Sequence, residues 1–339
     1  MSTPVAPGHR DHAARVGPAS VSNCSHTPAG VKMPDERTFD LDPLAPFSLD
    51  LTAWALRRRI HNEVDRWGAA GYQRVITVED RPVAVSVTQD GGLDSPRLSV
   101  QLAGRPIDRR VEVLVHGALR KLLGLTVDLT GFAAMATQDA LLGPLAGRLR
   151  GLKPPRFPTV FEALVNAVAC QQLSLTVGIH LLNRITAAYG SPVEQSPRGP
   201  RAFPTPEQLA ALAPADLQHH GFSLTKGRTI VDTARAIVVG DLDLGALERL
   251  DDRPAIERLE SLRGVGRWSA EYVLLRGLGR LHVFPGDDVG AHNKLRRFFD
   301  IEAKLDHAAV AELVAQWHPY QGMVYFHLLL QSLSEDGVV

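Results

Sequence analysis

The sequence predicts a mainly α-helical protein with an α+β domain near its N-terminus. Between residues 75 and 102, apolar and polar residues alternate in three short runs, which is the pattern of half-buried strands. After residue 155, apolar residues recur at helical spacing, and Gly and Pro mark the breaks between the runs. Residues 1–36 are rich in Pro, Ala, Ser, Gly and His and show no sustained periodicity. We therefore expect them to form a disordered leader.

The α+β domain is assigned to residues 37–148. Its expected elements are, in chain order, a helix from Leu51 through Trp67, strands over 75–78, 83–87 and 98–102, and a helix over about 109–123. Asp80-Arg-Pro82 and Asp90-Gly-Gly-Leu93 supply turn residues between the strands. No residue in this domain suggests catalysis, and we expect the domain to support the helical part of the chain.

The second domain is assigned to residues 149–339 and begins with the Pro-rich joint Gly151-Leu-Lys-Pro-Pro155. Helical patterns follow one another from there to the end of the chain, separated by polar joints that contain Gly or Pro. Many short helices with such joints indicate an orthogonal α-bundle.

Composition excludes several classes of protein. The 339 residues suffice for two domains with cores, and no apolar run approaches the length of a membrane span. The N-terminus lacks the apolar region of a secretory signal, so we expect a soluble, cytoplasmic protein. Two cysteines, Cys24 and Cys170, cannot build a disulfide framework, a four-cysteine zinc site or an iron–sulfur site. The 13 histidines show no paired-ligand spacing, so no catalytic metal is expected.

The charge balance is neutral, with 37 Lys plus Arg and 37 Asp plus Glu. A nucleic-acid-binding protein usually carries a basic excess, so the total argues weakly against such a partner. Local charge matters more than the total. Basic residues do cluster in one region of the sequence: Arg263, Arg267, Arg276, Arg280, Lys294, Arg296 and Arg297.

The segment Leu262-Arg-Gly-Val-Gly-Arg-Trp-Ser-Ala270 reads as a glycine turn between two helices. Apolar residues recur at helical spacing on both sides of it: Pro254, Ile256, Leu259 and Leu262 before the turn, and Tyr272, Leu275 and Leu278 after it. Gly264 and Gly266 carry no Cβ, so a phosphate could approach the bare amides. The alternative is a turn that only connects two helices. Trp268 and the acidic pair Asp287-Asp288 downstream favour a phosphate-binding turn over this alternative.

This combination resembles the helix-hairpin-helix DNA glycosylase superfamily, and within it the 3-methyladenine DNA glycosylase II type. Further segments resemble the family in the right order: Phe161-Glu-Ala-Leu-Val-Asn-Ala-Val-Ala-Cys-Gln-Gln-Leu-Ser174, Phe203-Pro-Thr-Pro-Glu-Gln-Leu209, Gly221-Phe-Ser-Leu-Thr-Lys-Gly-Arg228 and Trp317-His-Pro-Tyr320. The resemblance implies two helical subdomains with a cleft between them, preceded by a TATA-binding-protein-like sheet domain. It also implies a monomer that acts on double-stranded DNA containing damaged bases, in the cytoplasm at the nucleoid.

The resemblance implies a set of DNA-contacting residues: Gly264, Val265, Gly266, Arg267, Ser269, Gln171 and Gln172. Of these, Gln172 is expected to fill the space left by a flipped nucleotide, with an ordinary helix-joining role as the alternative. The hairpin carbonyls are expected to hold a monovalent cation if any ion is bound, and no other cofactor is expected.

The family motif places its essential carboxylate at the second acid of the pair, which is Asp288. A carboxylate there would stabilise the oxocarbenium charge that develops on the sugar and would orient water. Asp287 is expected to cap the following helix instead. The alternative is that both acids are helix caps.

Trp268 occupies the place where bifunctional relatives carry a nucleophilic lysine, so a glycosylase that uses water is expected, without cleavage of the backbone. Trp268 and Tyr272 are the expected pocket walls, because a π-face attracts a cationic alkylated purine. Two positions depart from the family pattern. Leu329 stands where well-known members carry a pocket tryptophan, and His292 has no obvious counterpart.

Three functions remain open from the sequence. The first is a monofunctional glycosylase that releases alkylated purines, 3-methyladenine or 7-methylguanine, in base excision repair. The second is a glycosylase of the same scaffold for deaminated or oxidised bases. The third is a helix-hairpin-helix protein that binds DNA without catalysis.

Overall fold

A computed structural model describes residues 35–104, 106–193, 199–335 and 337 of the chain. Most of the expected leader, residues 1–34, lies outside the described residues. Its last two residues, Asp35 and Glu36, belong to the first strand. The first strand therefore begins before the boundary predicted at residue 37.

Five antiparallel strands form one sheet in the order β1-β5-β4-β3-β2. Their bounds are β1 Asp35–Leu41, β2 Arg66–Gly68, β3 Gly71–Val78, β4 Arg81–Asp90 and β5 Arg97–Gly104. The three predicted strands correspond to β3, β4 and β5, whereas β1 and β2 were not predicted. Both missed strands lie at the edges of the sheet, where β1 is largely exposed and β2 is only three residues long, so neither carries a clear alternating pattern.

The first helix, α1, spans Leu49–Arg57 and is shorter than predicted. It ends because Arg58 adopts φ 60°, a left-handed conformation in which its amide donates to the Trp54 carbonyl. A glycine is the usual residue at such a position, so the sequence carries no stop signal there. Trp67, the predicted end of this helix, belongs to β2.

The remaining elements are helices, which confirms a mainly α fold after the sheet. Helices α2 to α8 are Arg109–Leu122, Thr130–Gln138, Leu142–Arg148, Val160–Cys170, Leu175–Tyr189, Pro206–Ala210 and Pro214–Gln218. Helices α9 to α15 are Leu224–Val238, Leu244–Arg249, Asp252–Glu260, Arg267–Arg276, Val289–Phe298, His307–Ala315 and Gln321–Glu335. None of the helices in the described ranges is long and apolar enough to cross a membrane.

The hydrophobic clusters divide the chain differently from the predicted boundary at residue 148. The inner face of the sheet packs against α1 and α2 in one cluster. Helices α3 and α4, which were assigned to the sheet domain, instead pack with α13, α14 and α15 in a second cluster. The Trp317 indole, for example, donates to the Asp139 carboxylate just before α4 at 2.7 Å. Helix α5 contributes to two further clusters. In one it packs with α6 and α9, and in the other it packs with α11 and α12.

A buried ion network joins the sheet to α5. Arg74 on β3 donates to Asp65 at 2.5 Å and to both oxygens of Glu162 on α5 at 2.5 and 2.6 Å. Tyr72 donates to the same Asp65 carboxylate at 2.7 Å, and all four side chains are buried. Since removing one partner would leave a buried charge uncompensated, this network fixes the sheet relative to α5.

We predict that His327 makes stability depend on pH. Burial lowers its pKa to about 4, and its Nδ1 lies 2.9 Å from the Met323 carbonyl oxygen. The unfolded chain binds this proton near pH 6.5, so stability falls as the pH is lowered from about 6.5 to 4, by about 3 kcal/mol. Urea unfolding at pH 7 and pH 4 should show this loss of stability in the wild type. In His327→Gln the loss between the two pH values should be smaller by about 3 kcal/mol. In the exposed control His219→Gln the loss should equal that of the wild type. Equal pH dependence in all three proteins would contradict the prediction.

Candidate active site

The glycine turn joins α11 to α12 as predicted, and Gly264 is required by the fold itself. Gly264 adopts φ +77°, and a Cβ there would lie 2.1 Å from the Thr229 hydroxyl oxygen of α9. Val265 is buried in the α11–α12 cluster, and its amide donates to the Leu262 carbonyl at 3.1 Å. The side chain and amide of Val265 therefore hold the turn together, and the DNA contact expected of this residue stays a prediction.

Gly266 has no such internal reason to be glycine, because a Cβ there would meet nothing within 4 Å. It is the N-cap of α12 and supplies no capping side chain, which leaves the first amides of the helix open. Arg267 is exposed beside them and donates to Glu271 at 3.1 Å. This helix end is therefore suited to a phosphate.

Ser269 and Gln171 connect the turn to the loop after α5. Gln171 donates through Nε2 to the Gly264 carbonyl at 2.9 Å and to the Ser269 hydroxyl at 2.8 Å. Ser269 is buried and Gln171 is partly exposed, so both residues position the turn. The DNA contacts expected of them stay predictions. Lys226 donates to the carbonyls of Ala169 and Gln171 at 3.0 and 2.7 Å, which ties α9 to the same loop.

Gln172 lies at the tip of this loop and is exposed. It adopts φ 53°, an uncommon conformation for a residue with a side chain. The next residue, Leu173, is also exposed, and Ser174 caps α6 by accepting from the Val177 amide at 3.3 Å. The loop thus presents a polar and an apolar side chain next to each other.

The Asp288 carboxylate is held by three hydrogen bonds. Oδ1 accepts from the Ala291 amide at 2.8 Å, which makes Asp288 the N-cap of α13. Oδ2 accepts from the Trp268 indole at 3.2 Å and from the Tyr325 hydroxyl at 3.0 Å. These donors come from α12, α13 and α15, so the carboxylate lies where three helices meet.

The roles predicted for the two adjacent acids, catalysis for Asp288 and helix capping for Asp287, are therefore wrong in one respect. Asp288, the expected catalytic residue, also makes the capping hydrogen bond that was assigned to Asp287. Asp287 is exposed beside it. With two adjacent acids before the helix, the sequence did not distinguish which one caps it.

Asp288 lies between two cavities and lines both of them. The outer cleft has a volume of about 800 Å³ and runs along the turn and the loop after α5; its lining includes Gln171, Gln172, Gly264, Gly266, Ser269 and Asp287. The inner cavity has a volume of about 160 Å³ and lies behind it; its lining includes Arg58, Tyr272, Arg276, Lys294, Tyr325 and Leu329. Cys170, Leu173, Trp268, Asp288 and Gly290 line both spaces.

Aromatic rings and buried cations surround the inner cavity. The Trp268 and Tyr272 rings lie 5.5 Å apart at 35°. Arg58 donates to the Tyr272 hydroxyl at 2.9 Å, and burial raises the pKa of that hydroxyl. Burial, together with the charge of Asp288, also raises the pKa of Tyr325 well above its usual range. Both tyrosines therefore keep their protons, and the Tyr325 hydroxyl uses its proton to donate to Asp288.

The loop that leads to Asp288 is held by two further side chains. Glu271 on α12 is buried and accepts from the Gly286 amide at 2.9 Å. His292, whose role the sequence left open, lies with Nε2 2.5 Å from the Gly286 carbonyl oxygen. The amide and the carbonyl of Gly286 are therefore both fixed, two residues before Asp288.

Sequence reasoning missed Arg58, Tyr325 and Glu271. Arg58 was placed inside a helix, since nothing in the sequence marks its left-handed conformation. Tyr325 lies two residues after Met323 in an apolar helix and reads as a core residue. Glu271 follows Arg267 by four residues and reads as half of a surface ion pair.

The described residues contain no group of three or more His, Cys, Asp or Glu side chains that could hold a metal ion. The monovalent cation implied by the resemblance stays a prediction. Two of the hairpin carbonyls, those of Leu262 and Gly264, already accept hydrogen bonds.

Comparison with known proteins finds relatives over most of the chain. Residues 165–319 match the model of the HhH-GPD superfamily base excision DNA repair protein. A DNA-3-methyladenine glycosylase from Bacillus subtilis (strain 168) is 30% identical over 247 residues, which cover 72% of this chain and 81% of that protein.

Two solved structures are similar in fold. A 3-methyladenine DNA glycosylase from Archaeoglobus fulgidus aligns with a TM-score of 0.76 and 24% identity, over 86% of this chain and 97% of that chain. A Clostridium acetobutylicum 8-oxoguanine glycosylase/lyase, in complex with double-stranded DNA containing cytosine opposite 8-oxoguanine, aligns with a TM-score of 0.69 and 17% identity, over 90% of this chain and 98% of that chain. These likenesses confirm the predicted fold, and they include both a glycosylase and a glycosylase/lyase.

The two glycines of the turn should respond differently to alanine. Gly264→Ala introduces both a clash with Thr229 and a strained φ, so we expect the free energy of unfolding to fall by about 1–3 kcal/mol. Gly266→Ala meets no protein atom, so we expect a loss below about 1 kcal/mol, together with weaker binding to duplex DNA because the new methyl group obstructs the helix end. Urea unfolding and a fluorescence-anisotropy titration measure the two effects. Equal destabilisation by both changes, with unaltered DNA binding, would contradict this assignment.

Proposed function

Since this chain belongs to the HhH-GPD superfamily of base excision DNA repair proteins, we propose that it is a monofunctional glycosylase that excises alkylated purines. The expected substrates are 3-methyladenine and 7-methylguanine in double-stranded DNA. We further propose that it acts as a monomer at the nucleoid. The named activity of the Bacillus subtilis relative supports the reaction class.

The observation that carries this proposal is the position of Asp288 between the outer cleft and the inner cavity. A flipped nucleotide would place its sugar and phosphates in the cleft and its base in the cavity. The N-glycosidic bond would then cross the boundary where the carboxylate lies. Hydrolysis of this bond develops positive charge on the sugar, and an adjacent carboxylate stabilises that charge.

The residues around Asp288 would bind the DNA backbone, fill the gap in the base stack and hold the extruded base. The amides at the Gly266 helix end would bind a phosphate, and Gln172 would fill the gap in the stack. Trp268 and Tyr272 would face the extruded base. The three donors to Asp288 fix its orientation before substrate arrives, so little reorganisation is needed in the transition state.

We propose water as the nucleophile, because Trp268 replaces the lysine of bifunctional relatives. A lyase reaction needs an amine that attacks the sugar and forms a Schiff base. Of the lysines beside the site, Lys226 donates to two carbonyls at the end of α5, and Lys294 lines the inner cavity.

Asp288→Asn should abolish most turnover while preserving the fold. Asn is also a favourable N-cap, so α13 keeps its start, whereas loss of the charge should lower single-turnover excision by about 10²-fold or more. The measurement is chromatography of bases released from methylated duplex DNA, with DNA affinity determined in parallel. Asp287→Asn is the matched control and should retain activity within a few-fold. Full activity of Asp288→Asn would contradict the proposed mechanism.

Borohydride should fail to trap the protein on DNA. A Schiff base would be reduced to a stable covalent complex, and the proposed hydrolysis forms none. We expect released base and an intact abasic strand, with no slower-migrating protein–DNA band on a denaturing gel. A trapped complex that disappears in Lys294→Gln would show that an amine of the cavity is the nucleophile, and the monofunctional assignment would then be wrong.

A further inference from the structure

We infer that the loop after α1 and helix α6 form a second DNA-binding surface, which contacts the phosphates of the duplex on one side of the damaged base. This inference rests on the proposed function, because that function supplies duplex DNA as the partner. The surface, called here the α6 flank, consists of Arg59, His180 and Arg184, with His61 packed against His180.

Several of the basic residues that surround the glycine turn in sequence are engaged inside the protein. Three of them form ion pairs with carboxylates at 2.6 to 3.3 Å: Arg267 with Glu271, Arg280 with Asp252, and Arg297 with Glu335. A fourth, Arg276, is fully buried. The 37 basic and 37 acidic residues of the chain also balance. Because a duplex is attracted by cations that can neutralise its phosphates, we expect a positive surface elsewhere.

Helix α6 presents such a surface next to the loop after α5. The chain contains no Asp or Glu between Glu162 and Glu194, a range that includes this loop and the whole helix. Thr176, His180 and Arg184 follow one another at intervals of four residues, so they share one face of the helix. His180 and Arg184 are exposed. No acidic side chain of α6 therefore opposes the charge of this face.

The loop after α1 adds Arg59 to this face. Its Nε donates to the Thr176 hydroxyl at 3.1 Å, and its Nη1 donates to the Arg58 carbonyl at 2.9 Å. The side chain of Arg58 itself lines the inner cavity. Two consecutive arginines thus lie on different sides of the loop, and the charge of Arg59 lies at the first turn of α6.

A stacked pair of histidines joins the same loop to the middle of α6. The rings of His61 and His180 lie 4.2 Å apart at 10°. Burial, followed by the charges of His180, Arg59 and Arg57, lowers the pKa of His61, which indicates a positive potential at this surface. Glu63 is the one acid between residues 57 and 64, against three consecutive arginines. The loop therefore adds net positive charge to the α6 flank.

The α6 flank adjoins the cavity in which the damaged base would be bound. Leu173 and Leu175, at the start of α6, line the inner cavity together with Arg58. The helix rises about 1.5 Å per residue, so the stretch from Thr176 to Arg184 spans about 12 Å. This length covers about two or three phosphates of one strand. A duplex whose damaged nucleotide enters the cavity would therefore continue along the flank on one side of the lesion.

The first test measures how salt changes the affinity of the protein for a duplex that contains one tetrahydrofuran nucleotide. Arg59→Gln should bind about 3- to 10-fold more weakly at low salt, and the slope of log affinity against log salt should fall in magnitude by about 1. Arg59→Lys keeps the charge and should keep the slope. Thr176→Val removes only the hydrogen-bond acceptor of Arg59 and should keep it as well. An unchanged slope in Arg59→Gln, or an equal fall in Thr176→Val, would overturn the inference.

The second test uses duplexes that are shortened on one side of the tetrahydrofuran. On one of the two shortened duplexes, Arg59→Gln and Arg184→Gln should bind as tightly as the wild type, because the contacted phosphates are absent. On the other, both variants should still bind more weakly. Arg110→Gln removes an exposed charge from α2 and should match the wild type on every duplex. Equal losses on both shortened duplexes would indicate a general effect of charge and overturn the inference.

These measurements require no turnover, so they are separate from the test of the proposed function. A protein that releases methylated bases but shows no effect of Arg59→Gln or Arg184→Gln on binding would keep the proposed function and refute the α6 flank. A protein that shows the one-sided effect on binding but releases no base from methylated DNA would keep the α6 flank and refute the proposed excision.

Discussion

The convergence of three hydrogen bonds on the Asp288 carboxylate is the constraint on which the rest of this site depends. Donors from Trp268, Ala291 and Tyr325 bring α12, α13 and α15 to one point. The glycine turn starts α12, and the loop held at Gly286 leads into α13, so the position of the carboxylate relative to the turn is set by the fold. The helix end proposed to bind the DNA backbone and the carboxylate proposed to act on the sugar are therefore fixed relative to each other before DNA binds.

The sheet contributes more to the site than the supporting role expected from the sequence. Its buried Arg74 fixes β3 to Glu162 on α5, and α5 ends in the loop that carries Gln172. Arg58, the residue after α1, lines the inner cavity and donates to the Tyr272 hydroxyl at 2.9 Å. The sheet and its helices thus shape the cavity wall, while the helical part supplies the carboxylate.

Patterns of neighbouring residues in the sequence predicted those elements whose formation depends on neighbouring residues. Three of the five strands, the glycine turn and the helices around it follow from periodicity and turn residues. Contacts between residues far apart in sequence determine the rest: the short edge strands, the left-handed Arg58, the burial of Val265 and Ser269, and the hydrogen bonds of Gln171 to the turn. The sequence also could not show that α3 and α4 pack with the C-terminal helices, because amphipathic helices do not specify their partners.

The proposed function depends on Asp288 stabilising positive charge on the sugar. The most direct measurement compares the affinity of the protein for two duplexes, one with a cationic pyrrolidine in place of a nucleotide and one with the neutral tetrahydrofuran. We expect the wild type to prefer the cation by about 10²-fold or more and Asp288→Asn to lose most of this preference. An equal preference in the wild type and in Asp288→Asn would contradict it.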